Sequence, residues 1–204
     1  RQRQMCIRDR DREGGIWIGT YSGGVNYLSP SASCIETYYS DILSGSLSGK
    51  TVRQFCEDEN ENLWIATENG GVNYFNTKDQ TITQPIKGLY HNTHALLLDG
   101  DNLWIGTYAR GIHVYNTKTK SLSVFKRSPD GKNSINDDGI YALYKTKKGD
   151  IYVGTHAGLN KYDRDKNIFI NIEQASKFIY DIKEDDFGNL WLATYGSGVI
   201  RYHM

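Results

Sequence analysis

At 204 residues the chain is long enough to bury a substantial core. Its 24 basic residues balance its 24 acidic ones, which argues against nucleic acid or an anionic membrane as partner, since both reward a concentrated basic face. Gly (21) and Tyr (15) are abundant while Pro (3) and Met (2) are scarce, a profile of short strands joined by tight turns. No apolar run approaches the roughly 18 residues of a membrane span, and no segment has the pattern of a cleavable leader. Cys6, Cys34 and Cys56 have no metal-binding spacing and are odd in number.

Read in chain order, one string recurs five times: GGIWIGTYSGGVNYL, ENLWIATENGGVNYF, DNLWIGTYARGIHVY, GDIYVGTHAGLNKY and GNLWLATYGSGVIRY. Trp17, Trp64, Trp104, Tyr152 and Trp191 mark the same place in each, at separations of 47, 40, 48 and 39 residues. Two positions later stands Gly or Ala (Gly19, Ala66, Gly106, Gly154, Ala193), then always Thr. A further Gly (Gly24, Gly71, Gly111, Gly158, Gly198) precedes an apolar residue and a second strand. Each copy therefore predicts strand, turn, strand. An earlier strand precedes the unit, as in TVRQFCED, GIYALYKT and FIYDIKED, and a later one follows it, as in TITQPI, SLSVF and NIFINI. In the second copy the strands are expected near 52–57, 62–67, 72–76 and 81–86.

The unit is thus a four-stranded antiparallel meander. Its first strand carries apolar residues on both faces: Ile140, Ala142 and Tyr144 on one, Tyr141 and Leu143 on the other. A sheet buried on both faces needs cover on both sides, which meanders stacked as propeller blades provide. The fold class expected is all-β, a β-propeller fragment of five consecutive four-stranded blades, near 11–40, 51–87, 93–126, 139–173 and 178–204. The first is expected to lack its inner strand and the last its outer one, leaving an open arc. The marker aromatics are expected to be buried between blades.

These residues resemble the two-component regulator propeller repeat, whose pattern runs ED..GNLWIGT..GGL.RY. Glu57-Asp58 with Asn62 to Thr67, and Asp185 with Gly188 to Trp191, carry the likeness, which extends over residues 11–204. Tyr152 departs from the usual Trp, its turn to Gly158 is one residue shorter, and residues 99–101 shorten another turn. The resemblance implies the sensor part of a Bacteroidetes hybrid histidine kinase, periplasmic, responding to glycan fragments. Its partners would be the remaining blades and downstream domains of a parent chain, and a second copy in a homodimer. Residues 1–10, RQRQMCIRDR, are set apart as non-native: MCIRDR resembles a translated library adaptor. Arg8 stands nine residues before its marker aromatic, where Phe55, Leu143 and Ile182 stand before theirs.

Other motifs yield to structural readings. SGSLSGKT at 44–51 ends like a phosphate-binding loop, but Ser44 replaces the first required Gly and TVRQFCED follows as a strand, not a helix. It is read as a connector between blades, with KNSINDDGI at 132–140 as its parallel. His91 and His94 are expected to be a solvated loop pair. EDENEN (57–62) and EDDFGN (184–189) lack the ligand spacing of a calcium loop and are read as turns. No metal or cofactor is expected, and a Cys34–Cys56 disulfide is not.

In such a meander, the turns between the second and third strands share a rim with the blade connectors. That rim carries Tyr21, Tyr108, Arg110, His156 and Tyr195, aromatic and polar groups suited to a sugar ligand. The function expected is a non-enzymatic sensor or ligand-binding segment taking an oligosaccharide, with no catalytic residues. The alternatives are a propeller enzyme, lyase or glycan-cleaving, and a bare protein-docking scaffold.

Overall fold

The computed structural model describes residues 7–11, 14–20, 24–29, 35–41 and 45–203. Among the described residues, nineteen strands fall into five antiparallel sheets, each made of strands consecutive in sequence. The first holds β1 (Ile7–Arg10), β2 (Ile16–Thr20), β3 (Gly24–Leu28) and β4 (Ile35–Tyr38), and the second β5 (Thr51–Glu57), β6 (Leu63–Glu68), β7 (Gly71–Asn76) and β8 (Thr81–Thr83). The third holds β9 (Thr93–Asp99), β10 (Asn102–Thr107), β11 (Ile112–Asn116) and β12 (Leu122–Phe125). The fourth holds β13 (Ile140–Lys145), β14 (Ile151–Thr155), β15 (Leu159–Asp163) and β16 (Ile168–Ile172), and the fifth β17 (Ile179–Glu184), β18 (Leu190–Thr194) and β19 (Val199–Tyr202). A single 3-10 turn, Glu173–Ala175, is the one helical element among the described residues. The chain divides into two units, Arg1–Leu98 and Asp99–Met204.

As expected, the fifth sheet has no fourth, outer strand among the described residues. The first sheet differs from expectation, because β1 completes it in the register Ile7↔Gly19 to Arg10↔Ile16. An antiparallel ladder is made by backbone groups, so it does not require the apolar residue found at this place in later sheets.

In the first unit, Trp17, Val25, Leu47, Val52 and Phe55 pack with Leu63, Ile65 and Phe75 in one core. In the second, Tyr152, Leu159, Ile179, Ile182, Leu190 and Leu192 do the same. At Gly19 and Gly154, each two places after a marker aromatic, the next sheet comes close: a Cβ added at Gly19 would lie 3.2 Å from Val52 Cγ1. A Cβ added at Gly154 would lie 2.7 Å from Ile179 Cγ2, an overlap that packed side chains cannot absorb cheaply. Trp17, Trp64, Trp104 and Tyr152 are buried as expected. Trp17 meets Phe75 of the next sheet edge-on at 5.9 Å, and Trp104 meets Tyr162 of the next at 4.8 Å. Trp191 departs from the expectation at 41% exposed: no sheet follows its own among the described residues.

The connectors carry buried polar links. The Ser48 N–H donates to Asn73 Oδ1 at 3.0 Å, and the Asn136 N–H to Asn160 Oδ1 at 3.0 Å. Leu47 and Ile135, each preceding the donor, are buried. Ser46–Lys50 then runs into β5, so Gly-Lys-Thr here ends a connector and opens a strand. Asp58 and Asp185 organise turns, as expected of EDENEN and EDDFGN. Asp58 Oδ1 accepts the backbone N–H groups of Asn60 and Asn62, and Asp185 Oδ1 those of Phe187 and Asn189. The hydrogen bonds from Asn189, its side chain first, and from the Trp191 indole hold the Asp185 carboxyl well below the usual range. Cys56 is a free thiol, pushed up to about 12 by burial and Asp58; Cys34 lies outside the described residues.

Two expectations are corrected. His94 is not a solvated loop residue: it lies in β9, 6% exposed, its Nδ1 3.3 Å from Arg53 Nη2. A strand beginning at Thr93 turns it inward. The alternation read for Ile140–Tyr144 also fails, because a bulge between Ile140 and Ala142 takes Tyr141 out of the ladder, and Ala142 and Leu143 are both buried.

Two outcomes test these links. Asn160→Ala leaves the half-buried Asn136 amide unpaired and is expected to cost about 1 kcal/mol in urea unfolding. Burial, reinforced by Arg53, lowers the His94 pKa from 6.5 to about 3. The unfolded chain takes up a proton that the folded chain refuses, so this residue erodes stability as pH falls from about 6.5 towards 3, by up to about 1.4 kcal/mol per pH unit. His94→Gln is expected to remove that slope from urea midpoints measured across the same window.

Candidate functional site

The turns between second and third strands are closed by one recurring hydrogen bond. The Thr107 hydroxyl donates to the Gly111 carbonyl at 2.8 Å, Thr155 to Gly158 at 2.9 Å and Thr194 to Gly198 at 2.7 Å. In the first unit Thr67 makes the same bond to Gly71 at 3.0 Å. With its backbone closed in this way, each turn presents its middle side chains outward. The turns are also tied to the segments entering the inner strands. The His156 N–H donates to the Gly139 carbonyl at 3.0 Å, Tyr195 to Phe178 at 3.0 Å and Gly111 to Asp138 at 2.9 Å. Turns and connectors therefore share one rim in the second unit.

Aromatic rings gather on that rim. Phe178 is the hub: its ring centroid lies 4.4 Å from Tyr141, 4.9 Å from His156, 5.4 Å from Tyr195 and 6.2 Å from Tyr180. Tyr141 extends the cluster to Tyr180 at 6.1 Å and to Tyr108 at 6.4 Å. Tilted and edge-on contacts at these separations are the favourable arrangements for aromatic pairs. The rings are half in water, with Tyr108 50% and Tyr195 73% exposed. This is a preformed, amphipathic surface of rigid side chains able to stack against a flat, partly apolar ligand.

Of the residues expected here, Tyr108, His156 and Tyr195 are brought together. Arg110 is exposed in the same turn as Tyr108, its backbone N–H bonded to Thr107 Oγ1 at 3.0 Å. Tyr21 lies outside the described residues. Tyr141, Phe178 and Tyr180, which join the expected residues into one cluster, were not legible as site residues. Tyr141 and Tyr180 are both bulge residues, skipped in the pairing of β13 with β14 and of β17 with β18. A bulge re-aims its side chain, and strict alternation along the strand hides it. Phe178 ends the long connector 173–178, and its position beside an inner strand was the available signal.

Three segments, residues 46–69, 134–157 and 173–196, match the two component regulator propeller family, each running from a connector through the first two strands into the stapled turn. These three segments carry the two-component regulator propeller repeat. Among solved structures it is similar to the extracellular domain of a hybrid two-component system from B. thetaiotaomicron, with 24% identity and a TM-score of 0.79 over 96% of this chain and 26% of that one. A second such domain from the same organism matches at 20% identity and a TM-score of 0.63, over 97% of this chain and 33% of that one. Virginiamycin B lyase from Staphylococcus aureus matches at 13% identity and a TM-score of 0.69, over 97% of this chain and 69% of that one. At these identities the likeness is one of fold. The repeats span about a quarter to a third of the length of the two extracellular domains. Comparison with curated protein sequences finds no match.

The hub makes a direct test. Phe178→Ala is expected to cost about 2 kcal/mol and to shift the ring resonances of Tyr141, His156 and Tyr195 together. His156→Ala, at the cluster's edge, is expected to cost under about 0.5 kcal/mol in the same thermal melts.

Proposed function

We propose that these repeats form a non-enzymatic, ligand-sensing segment of a periplasmic sensor in hybrid two-component signalling, and that the aromatic rim of the second unit binds an oligosaccharide. The observation that carries this reading is the cluster of half-exposed rings around Phe178, bordered by the guanidinium-bearing turn of Arg110. Pyranose rings present apolar C–H faces, and such faces pack on flat aromatic surfaces while the hydroxyls keep polar partners at the edge. The likeness to extracellular domains of hybrid two-component systems supports the same class of role. Against an enzyme, the His156 ring meets Phe178, and no acidic side chain pairs with it among the described residues. General acid–base chemistry at this rim would need such a pair. The remaining blades and downstream signalling domains of a parent chain would be its partners, along with a second copy in a homodimer.

The reading is tested by titrating the chain with a panel of neutral and acidic oligosaccharides, followed by protein-detected NMR. Saturable shifts centred on Tyr108, Tyr141 and Tyr195 are expected, with affinity reduced about tenfold or more in Tyr195→Ala. Shifts elsewhere, or none with any glycan, would overturn it.

A further inference from the structure

A cavity of about 420 Å³ lies wholly within the first unit, away from the stapled turns. Trp17, Tyr27 and Tyr38 supply an aromatic wall, and Leu63 part of its apolar lining. Trp17 and Tyr27 lie 4.5 Å apart between ring centroids, and Trp17 and Tyr38 lie 6.4 Å apart in a stacked arrangement. The wall is held in place by hydrogen bonds. Asp11 accepts the Trp17 indole N–H at 3.0 Å and the Gly15 N–H at 2.6 Å, and the Tyr38 hydroxyl bridges Glu36 and Gln80. Around this wall stand four carboxylates, of Asp11, Glu36, Glu57 and Glu61, against one ammonium, of Lys78. Glu36 and Glu61 are exposed, and neither makes an ion pair among the described residues.

Two independent electrostatic effects act in the same direction here. Carboxylates of one sign around a concave, apolar-walled space focus a negative potential inside it. The faces of indole and phenol rings are themselves negative and attract cations. Both disfavour an anion, and neither favours a neutral guest over water. The volume falls within the range of small-molecule sites and is far larger than a bare ion needs. No group of three or more His, Cys, Asp or Glu is placed to hold a metal ion among the described residues. What fits is a weakly hydrated cation with a body large enough to touch the rings.

We propose that this cavity is a binding site for a small organic ammonium ion, with Trp17, Tyr27 and Tyr38 as its cation–π wall and Glu36 and Glu61 as the charges at its mouth. The site is independent of the oligosaccharide rim, being built from another unit and recognising a different chemistry.

Choline separates the two effects from simple hydrophobic filling, because 3,3-dimethylbutan-1-ol has the same shape without the charge. Calorimetric titration of the chain with each is expected to show saturable choline binding at one site, with the neutral analogue bound at least about tenfold more weakly. The double substitution Glu36→Gln, Glu61→Gln keeps both side-chain shapes and is expected to weaken choline about tenfold, with the near-UV circular dichroism of the native chain retained. If that variant does not fold, a salt series on the native chain takes its place, and choline affinity is expected to fall with ionic strength. Absence of choline binding, equal binding of the neutral analogue, or choline binding indifferent to both the substitutions and salt would overturn the proposal.

Discussion

The closest approach between neighbouring sheets sets the terms for everything else in each unit. At Gly154 the backbone of β14 lies so near Ile179, at the start of the next inner strand, that even a methyl group would overlap it. Only Gly fits that place in β14 without displacing its neighbour, and the large apolar residues sit on either side of it, at Tyr152 and on β17. Packing at interior density then fixes the separation of the sheets. Immediately after the small residue comes Thr, whose hydroxyl caps the carbonyl that ends the turn. The small residue thus permits contact, and its neighbour closes the hairpin at the same level.

Stacked sheets leave connectors to cross between them, and a crossing segment must satisfy its backbone groups without a ladder. Asn73 and Asn160, both fully buried, do this from the third strand of the blade that each connector enters. His113 occupies the equivalent place in the third sheet, where burial, and then the charge of Lys126, lowers its pKa. A buried amide offers a donor and an acceptor at once, whereas neutral imidazole offers one of each in fixed opposed directions. The repeats therefore share a backbone solution more closely than a side-chain one.

The recurrence of Trp, Gly or Ala, Thr and Gly made the strands legible. In the second sheet the expected 62–67 and 72–76 correspond to Leu63–Glu68 and Gly71–Asn76. The expected 81–86 ends at Thr83, because Pro85 has no N–H for the ladder. The rim was legible where it depends on turns, since a staple at fixed spacing says which residues face outward: Tyr108, His156 and Tyr195. It was illegible where it depends on bulges. Tyr141 and Tyr180 lie one residue into inner strands, and period-two reading assigns them by parity alone. Skipping one residue in the register reverses that parity locally, a tertiary effect that no single strand announces. The cavity of the first unit was illegible for another reason, since its acids come from two strands and two turns and meet only when the sheets stack.

The same position also acquires different duties from blade to blade. Asp11 and Asp185 accept the indole N–H of their own marker Trp, tying the first turn to the second strand of its sheet. In the third sheet the first turn is shortened, and the Trp104 indole nitrogen has no hydrogen-bond partner among the described residues. Asp99, nearly buried beside that turn, instead accepts from Lys145 of β13 at 2.7 Å and from Arg164, in the turn after β15, at 2.6 Å. A carboxylate that elsewhere orders its own blade here links its turn to the next one. Asp99 is 12% exposed, so losing its partners would leave a poorly solvated carboxylate alone, whereas Lys145 and Arg164 are themselves 37% and 47% exposed. On that framework the residue after the turn Thr is Tyr in three copies, at Tyr21, Tyr108 and Tyr195, and Glu68 and His156 in the other two.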